Sequence, residues 1–85
     1  MAAYRIVLKK SAAKELEAIP KRDLAKVVER IQSLAVEPRP PGVEKLSAQE
    51  RYRVRQGDYR IVYSIEDDIL TVCVVKVGHR REVYR

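Results

Sequence analysis

Residues 52–63 read Tyr-Arg-Val-Arg-Gln-Gly-Asp-Tyr-Arg-Ile-Val-Tyr. The alternation is that of a β-hairpin, and Gly57-Asp58 suits a tight two-residue turn. With those two residues as the loop, Gln56 pairs with Tyr59, Arg55 with Arg60, Val54 with Ile61, Arg53 with Val62 and Tyr52 with Tyr63. Successive strand residues point to opposite faces, so Arg53, Arg55 and Arg60 share one side while Val54 and Ile61 take the other. This register sets two like charges directly opposite each other, which destabilises a sheet. A polyanion that binds on that face is the natural reason to keep them.

Working outward, Asp67-Asp68 predicts a second two-residue turn. Pairing Glu66 with Ile69 sets Ile65 opposite Leu70, Tyr63 opposite Val72 and Ile61 opposite Val74. The predicted strands are then roughly 51–55, 59–66 and 69–77. Their shared inner face is Tyr52, Val54, Ile61, Tyr63, Ile65, Leu70, Val72 and Val74, apolar throughout. The outer face holds Arg53, Arg55, Arg60, Val62, Ser64, Thr71, Cys73 and Val75. Upstream, Tyr4, Ile6 and Leu8 line one side of a short strand. Ser11 is a candidate N-cap for a helix ending near Ile19, and Pro20 fits the first turn of a second helix. There Leu24, Val27, Val28, Ile31 and Leu34 recur at helical spacing and form one apolar stripe. Glu37-Pro-Arg-Pro-Pro-Gly42 ends that helix in a stiff loop. The expected class is α+β. An N-terminal strand and a helical hairpin precede a three-stranded antiparallel meander (β-α-α-β-β-β), with the helices packed on one face of a small sheet.

The chain has 85 residues, a formal charge of +6 and a pI of about 9.7. That length bounds it to a single domain, residues 1–85, with room for a shallow site rather than a deep pocket. The positive balance favours acidic partners. Residues 51–60 concentrate it, with four arginines and one aspartate. The single Cys73 has no internal disulfide partner, and neither a signal sequence nor a membrane-length apolar run is visible, so a cytoplasmic setting with no membrane is expected. One histidine, one cysteine and scattered acids make no metal-ligand constellation, and three glycines make no phosphate-binding loop. No metal or cofactor is therefore expected.

Guanidinium groups bind phosphates through paired hydrogen bonds and stay charged at any working pH. Several around one phosphate stabilise the charge that develops in phosphoryl transfer. An RNA backbone brings its own nucleophile, the 2′-hydroxyl, so cleavage needs only in-line positioning, charge stabilisation and proton transfer. Tyr84 and His79 are the candidate proton-transfer groups. The plainer readings are solubilising charge for the arginines, packing for Tyr84 and a loop or capping role for His79. Ser64 has no histidine partner in this register, which leaves serine chemistry without support.

The element order and several segments resemble the RelE/ParE superfamily of type II toxins, the RelE branch most of all. The segments are Lys45-Leu46, Tyr52-Arg-Val-Arg55, Gly57-Asp-Tyr-Arg-Ile-Val-Tyr63, the Val72–Val77 strand and Val77-Gly-His-Arg80 leading to Val83-Tyr84-Arg85. The resemblance covers the whole chain. It implies an endoribonuclease that cleaves messenger RNA in the decoding site of the ribosome. It also implies a cognate antitoxin that neutralises the toxin, with operator DNA bound only through that antitoxin. By motif position it assigns Arg53, Arg55, Arg60, Arg80 and Tyr84 to catalysis, and it places Lys45, Arg51, His79 and Arg81 among the RNA contacts. Well-known members carry lysines where this chain has Arg53 and Arg55. Arginine effectively cannot give up its proton, so these two are assigned to phosphate binding and the base role to Tyr84. The ParE branch offers the alternative, a non-catalytic inhibitor of DNA gyrase.

Overall fold

The computed structural model describes residues 3–46 and 50–79. Strand β1 (Arg5–Leu8) is followed by helices α1 (Lys10–Glu17) and α2 (Lys21–Ser33), then by strands β2 (Glu44–Leu46), β3 (Arg51–Gln56), β4 (Tyr59–Glu66) and β5 (Thr71–His79). One sheet takes them in the order β1-β5-β4-β3-β2. Strands β2 to β5 form an antiparallel meander, and β1 joins β5 in parallel. A parallel neighbour requires a long crossover, to which the helical hairpin contributes. The expected α+β architecture is therefore present, with a four-stranded meander in place of the three-stranded one. The additional strand, Glu-Lys-Leu at the sheet edge, is too short and too polar to show a period of two.

One face of the sheet carries the core. Ala12, Ile19, Val27, Ile31 and Leu34 from the helical hairpin pack with Val54, Ile61, Tyr63, Val72, Val74 and Val77. Of the stripe read from α2, Val27, Ile31 and Leu34 are buried and Leu24 packs half-buried against them, while Val28 is half-buried outside that cluster. Tyr4 and Ile6 also pack against this core, but Leu8 at the end of the edge strand is exposed. Ser11 is not the N-cap of α1. That position belongs to Lys9, whose N–H donates to the Val74 carbonyl at 3.0 Å. The sheet, not a hydroxyl, sets where strand turns to helix.

The first hairpin has the expected register, from Gln56↔Tyr59 to Tyr52↔Tyr63. Gly57 has φ +59° and Asp58 is not among the positive-φ residues, the sign pattern of a type II′ turn. The second hairpin differs. Asp67–Ile69 form a 3-10 turn and Leu70 is left-handed at φ 47°, so the connection is four residues long. Ile65 consequently faces Val72 and Tyr63 faces Val74. A slip of two residues leaves every side chain on its expected face, because the pleat repeats every two. Ile69 and Leu70, expected in the strand, leave the sheet, and both are exposed.

A bulge then breaks that parity. Tyr63 pairs with Val74 but Val62 pairs with Lys76, so Val75 is an extra residue on β5. Beyond it Val77 and His79 lie on the helix side, and Lys76 lies on the other. Glu15 of α1 secures this stretch. Its carboxylate accepts the Val77 N–H at 2.8 Å and meets Lys76 Nζ at 2.9 Å.

The proline loop is pinned at both ends. Val43 N–H donates to Pro40 O at 3.1 Å around Pro41-Gly42, with Gly42 at φ +86°, as a type II turn requires. The buried Tyr63 hydroxyl donates to Pro38 O at 2.6 Å. Arg39 lies over the Tyr52 ring, 5.3 Å from its centroid, and pairs with Asp67 at 3.0 Å, while Tyr4 donates to the same carboxylate at 2.7 Å. The Arg39 guanidinium, with the Tyr4 hydroxyl, holds Asp67 below the usual carboxylate range.

Candidate functional site

The face of the meander away from the helices is built by the residues between the core positions. Arg53 and Arg55 come from β3, and Arg60 and Val62 from β4. Arg55 stands directly opposite Arg60, as read from the hairpin. In a two-residue hairpin the closing pair is hydrogen-bonded and pair types alternate. Arg55 and Arg60 therefore form the closer, non-hydrogen-bonded kind, with Cα atoms about 4.5 Å apart. On the far side of Arg60 stands Gly78, which has no side chain to separate that row from β5.

The three arginines differ in environment. Arg55 is exposed. Arg60 is only 4% exposed, although Val62 beside it on this face lies outside the helix-packed core cluster. One of its Nη atoms donates to its neighbour's Tyr59 carbonyl at the long distance of 3.5 Å. Arg53 has a side chain 14% exposed and an ion pair with Glu44, Nη to Oε1 at 3.0 Å. Two guanidinium groups are thus held in place and a third reaches water. Such a surface favours an oxyanion with two or more acceptor oxygens, such as a phosphate group, over a single point charge.

Arg51 shares this face, two residues before Arg53 on β3. Lys45 and His79 do not. Lys45 pairs with Tyr52, a helix-side position, and its ammonium lies 3.7 Å from Glu50. His79 pairs with Tyr59 on the helix side, edge-on to its ring with centroids 5.9 Å apart. The bulge at Val75 is the reason, since without it residue 79 would fall on the arginine face. His79 and Tyr59 instead line a cleft between α2 and the hairpin tip, with Arg22, Asp23, Lys26 and Gln56. Burial, then neighbouring Asp23, pushes the Tyr59 phenol up, away from the range of a useful base. Arg80, Arg81 and Tyr84 lie outside the described residues.

Glu44 was missed by sequence reasoning, because its strand was. Its only signal is position: counting back from Arg53 across residues 47–50 places an acid opposite that arginine.

Residues 6–84 match the family model described as the ParE toxin of the type II toxin–antitoxin system parDE. Toxin RelG of Mycobacterium tuberculosis is 33% identical over 84 residues, which span 96% of this chain and 97% of that protein. In the crystal structure of the toxin–antitoxin complex RelBE2 from the same organism, one chain superposes with a TM-score of 0.82 at 32% identity, covering 92% of this chain and 99% of that one. A chain of the archaeal RelE–RelB complex from Pyrococcus horikoshii gives a TM-score of 0.82 at 31% identity, covering 92% and 96%.

Proposed function

This chain belongs to the ParE toxin family of type II toxin–antitoxin systems, and from that premise we propose that it is a RelE-type endoribonuclease that cuts messenger RNA on the ribosome. The observation that carries this reading is the arginine row on the face away from the helices, Arg55 opposite Arg60 with Arg53 beside them. An inhibitor that acts only by binding protein has no need to hold like charges opposite each other. A phosphodiester does need them.

In the proposed reaction the RNA 2′-oxygen attacks the adjacent phosphorus while the 5′-oxygen leaves in line. A 2′,3′-cyclic phosphate and a 5′-hydroxyl result. The nucleophile belongs to the substrate, so no metal is required to generate one. Arg55 and Arg60 neutralise charge on the non-bridging oxygens, and Arg53 orients the strand. Arg80 adds a further cation, Tyr84 in its anionic form takes the 2′-proton, and a proton from water completes the 5′-hydroxyl as the 5′-oxygen leaves. The ribosome supplies the in-line geometry, worth orders of magnitude in effective concentration. A cognate antitoxin is the proposed neutralising partner, covering the cationic face or the helical hairpin with acidic or apolar segments. Operator DNA is reached only through it. The setting is the cytoplasm, where ribosomes and messages meet.

The test is to express the chain from a tight promoter and map messenger 5′ ends in translating cells. New ends within reading frames, lost in Arg55→Ala, are the expected result. Growth arrest with intact messages would refute the nuclease. The family model bears the ParE name, which favours gyrase poisoning as the second reading. That reading predicts DNA breaks and an SOS response under the same induction, with messages uncut.

A further inference from the structure

Arg53 is the arginine of this face whose cross-strand neighbour is an acid. Glu44 and Arg53 oppose each other in the β2–β3 pair and meet at 3.0 Å. The pair is asymmetric: the Arg53 side chain is 14% exposed, the Glu44 side chain 57%. The guanidinium is thus largely out of water, while the carboxylate it meets remains half in solvent. One row along, Arg55 and Arg60 oppose each other instead. Glu66, another acid on this side of the sheet, stands at the far end of β4 beside Thr71. Among the described residues the carboxylate next to the arginine rows is therefore Glu44, on a three-residue edge strand.

We infer that Glu44 competes in cis with RNA phosphate for Arg53, and so weakens the protein's hold on RNA that nothing else positions. This rests on the nuclease reading above and adds a control to the same site. A phosphate arriving at Arg53 must displace the carboxylate or share the guanidinium with it. Sharing brings two anions close together in a partly dry setting, where like charges repel strongly. Displacement gives up the 3.0 Å ion pair, although Glu44 itself is already half hydrated. Either way the phosphate gains less at Arg53 than from an unpaired guanidinium, a loss that a strand held rigidly by other contacts absorbs and one that binds by charge alone does not. Glu44 would then reserve the site for RNA presented by a partner such as the ribosome.

The experiment measures binding of the full chain, free of antitoxin, to a short single-stranded RNA blocked against cleavage by 2′-O-methyl groups, over a series of salt concentrations. Glu44→Gln keeps the shape of the side chain and its oxygen acceptor while removing the charge. It should bind about 3- to 10-fold tighter at low salt, with a salt slope steeper by about 0.7, the contribution of one more neutralised phosphate on a single strand. Glu17→Gln, an exposed position on α1 with the same change in net charge, should stay within about twofold of wild type by the modest worth of distant screened charge. Arg55→Ala supplies the control for the site itself. If Arg55→Ala weakens binding but Glu44→Gln binds no tighter than Glu17→Gln, the competition is overturned and the nuclease reading stands. Weaker binding by Glu44→Gln also overturns it, because a carboxylate that merely braced Arg53 would behave that way. If neither Arg55→Ala nor Glu44→Gln changes RNA binding, the competition and the RNA site fall together.

Discussion

On β3 and β4 the helix-side residues Val54, Ile61 and Tyr63 are fully covered by the hairpin of α1 and α2. The residues between them, Arg53, Arg55, Arg60 and Val62, turn the other way. Burying a side chain such as Ile61 is worth about 1.5–3 kcal/mol, whereas a cross-strand pair on a sheet face contributes roughly 0.2–1 kcal/mol in either sense. A few apolar residues on one face therefore outweigh the repulsion of Arg55 and Arg60 on the other. The fold is secured on the helix side, which leaves the opposite side able to hold an arrangement that stability alone would reject.

Substitutions should separate the two faces, starting with the largest effect. Ile61→Ala opens a cavity at a fully buried position and should cost about 2–5 kcal/mol in urea unfolding. That is a large share of the roughly 4–13 kcal/mol a chain of this size has in total. A cost below about 1 kcal/mol would mean that the covered face does not secure the fold. Arg55→Ala should do the reverse. Its exposed side chain leaves stability within about 0.5 kcal/mol, while messenger cleavage in a translating extract should fall about 100-fold, as for loss of one charge-stabilising donor. Retained cleavage in this variant would dissolve the functional contrast. Arg60→Ala is a poorer probe, because the side chain is buried and its loss mixes packing with charge.

Tyr63→Phe sharpens the comparison within the covered face. It removes the hydroxyl bound to Pro38 O and should cost about 1 kcal/mol at neutral pH. Burial pushes the Tyr63 phenol up to about 12, above its ordinary value near 10. The neutral phenol thus stabilises the fold in full below about pH 10, and this advantage is lost as pH rises toward 12. The gap in unfolding midpoint between wild type and Tyr63→Phe should narrow over that window. A constant gap would contradict the assignment. The smallest effect is expected at Asp67→Asn, where an exposed carboxylate is held low by Arg39 and Tyr4. Because the folded value is depressed, its stabilisation is present above about pH 4 and is lost as pH falls. Wild type and variant should therefore converge in acid. Divergence on acidification would show that the network does not favour the ionised form.

The amino-acid sequence by itself determined the first hairpin, its register and the opposition of Arg55 and Arg60, because Gly57-Asp58 and the flanking alternation are local signals. It also determined the buried stripe of α2, through spacing that only a helix satisfies. The α+β class followed from those elements in order. What tertiary structure decided was non-local. Glu44–Leu46 becomes a strand because β3 offers it an edge. Asp67 lengthens the second turn where Tyr4 and Arg39 reach it from elsewhere in the chain. One extra residue at Val75 carries His79 to the helix side, and an acid nine residues upstream meets Arg53. A pleat has a period of two, so a single bulge inverts every later side chain, and no local pattern in β5 marks where that residue will fall.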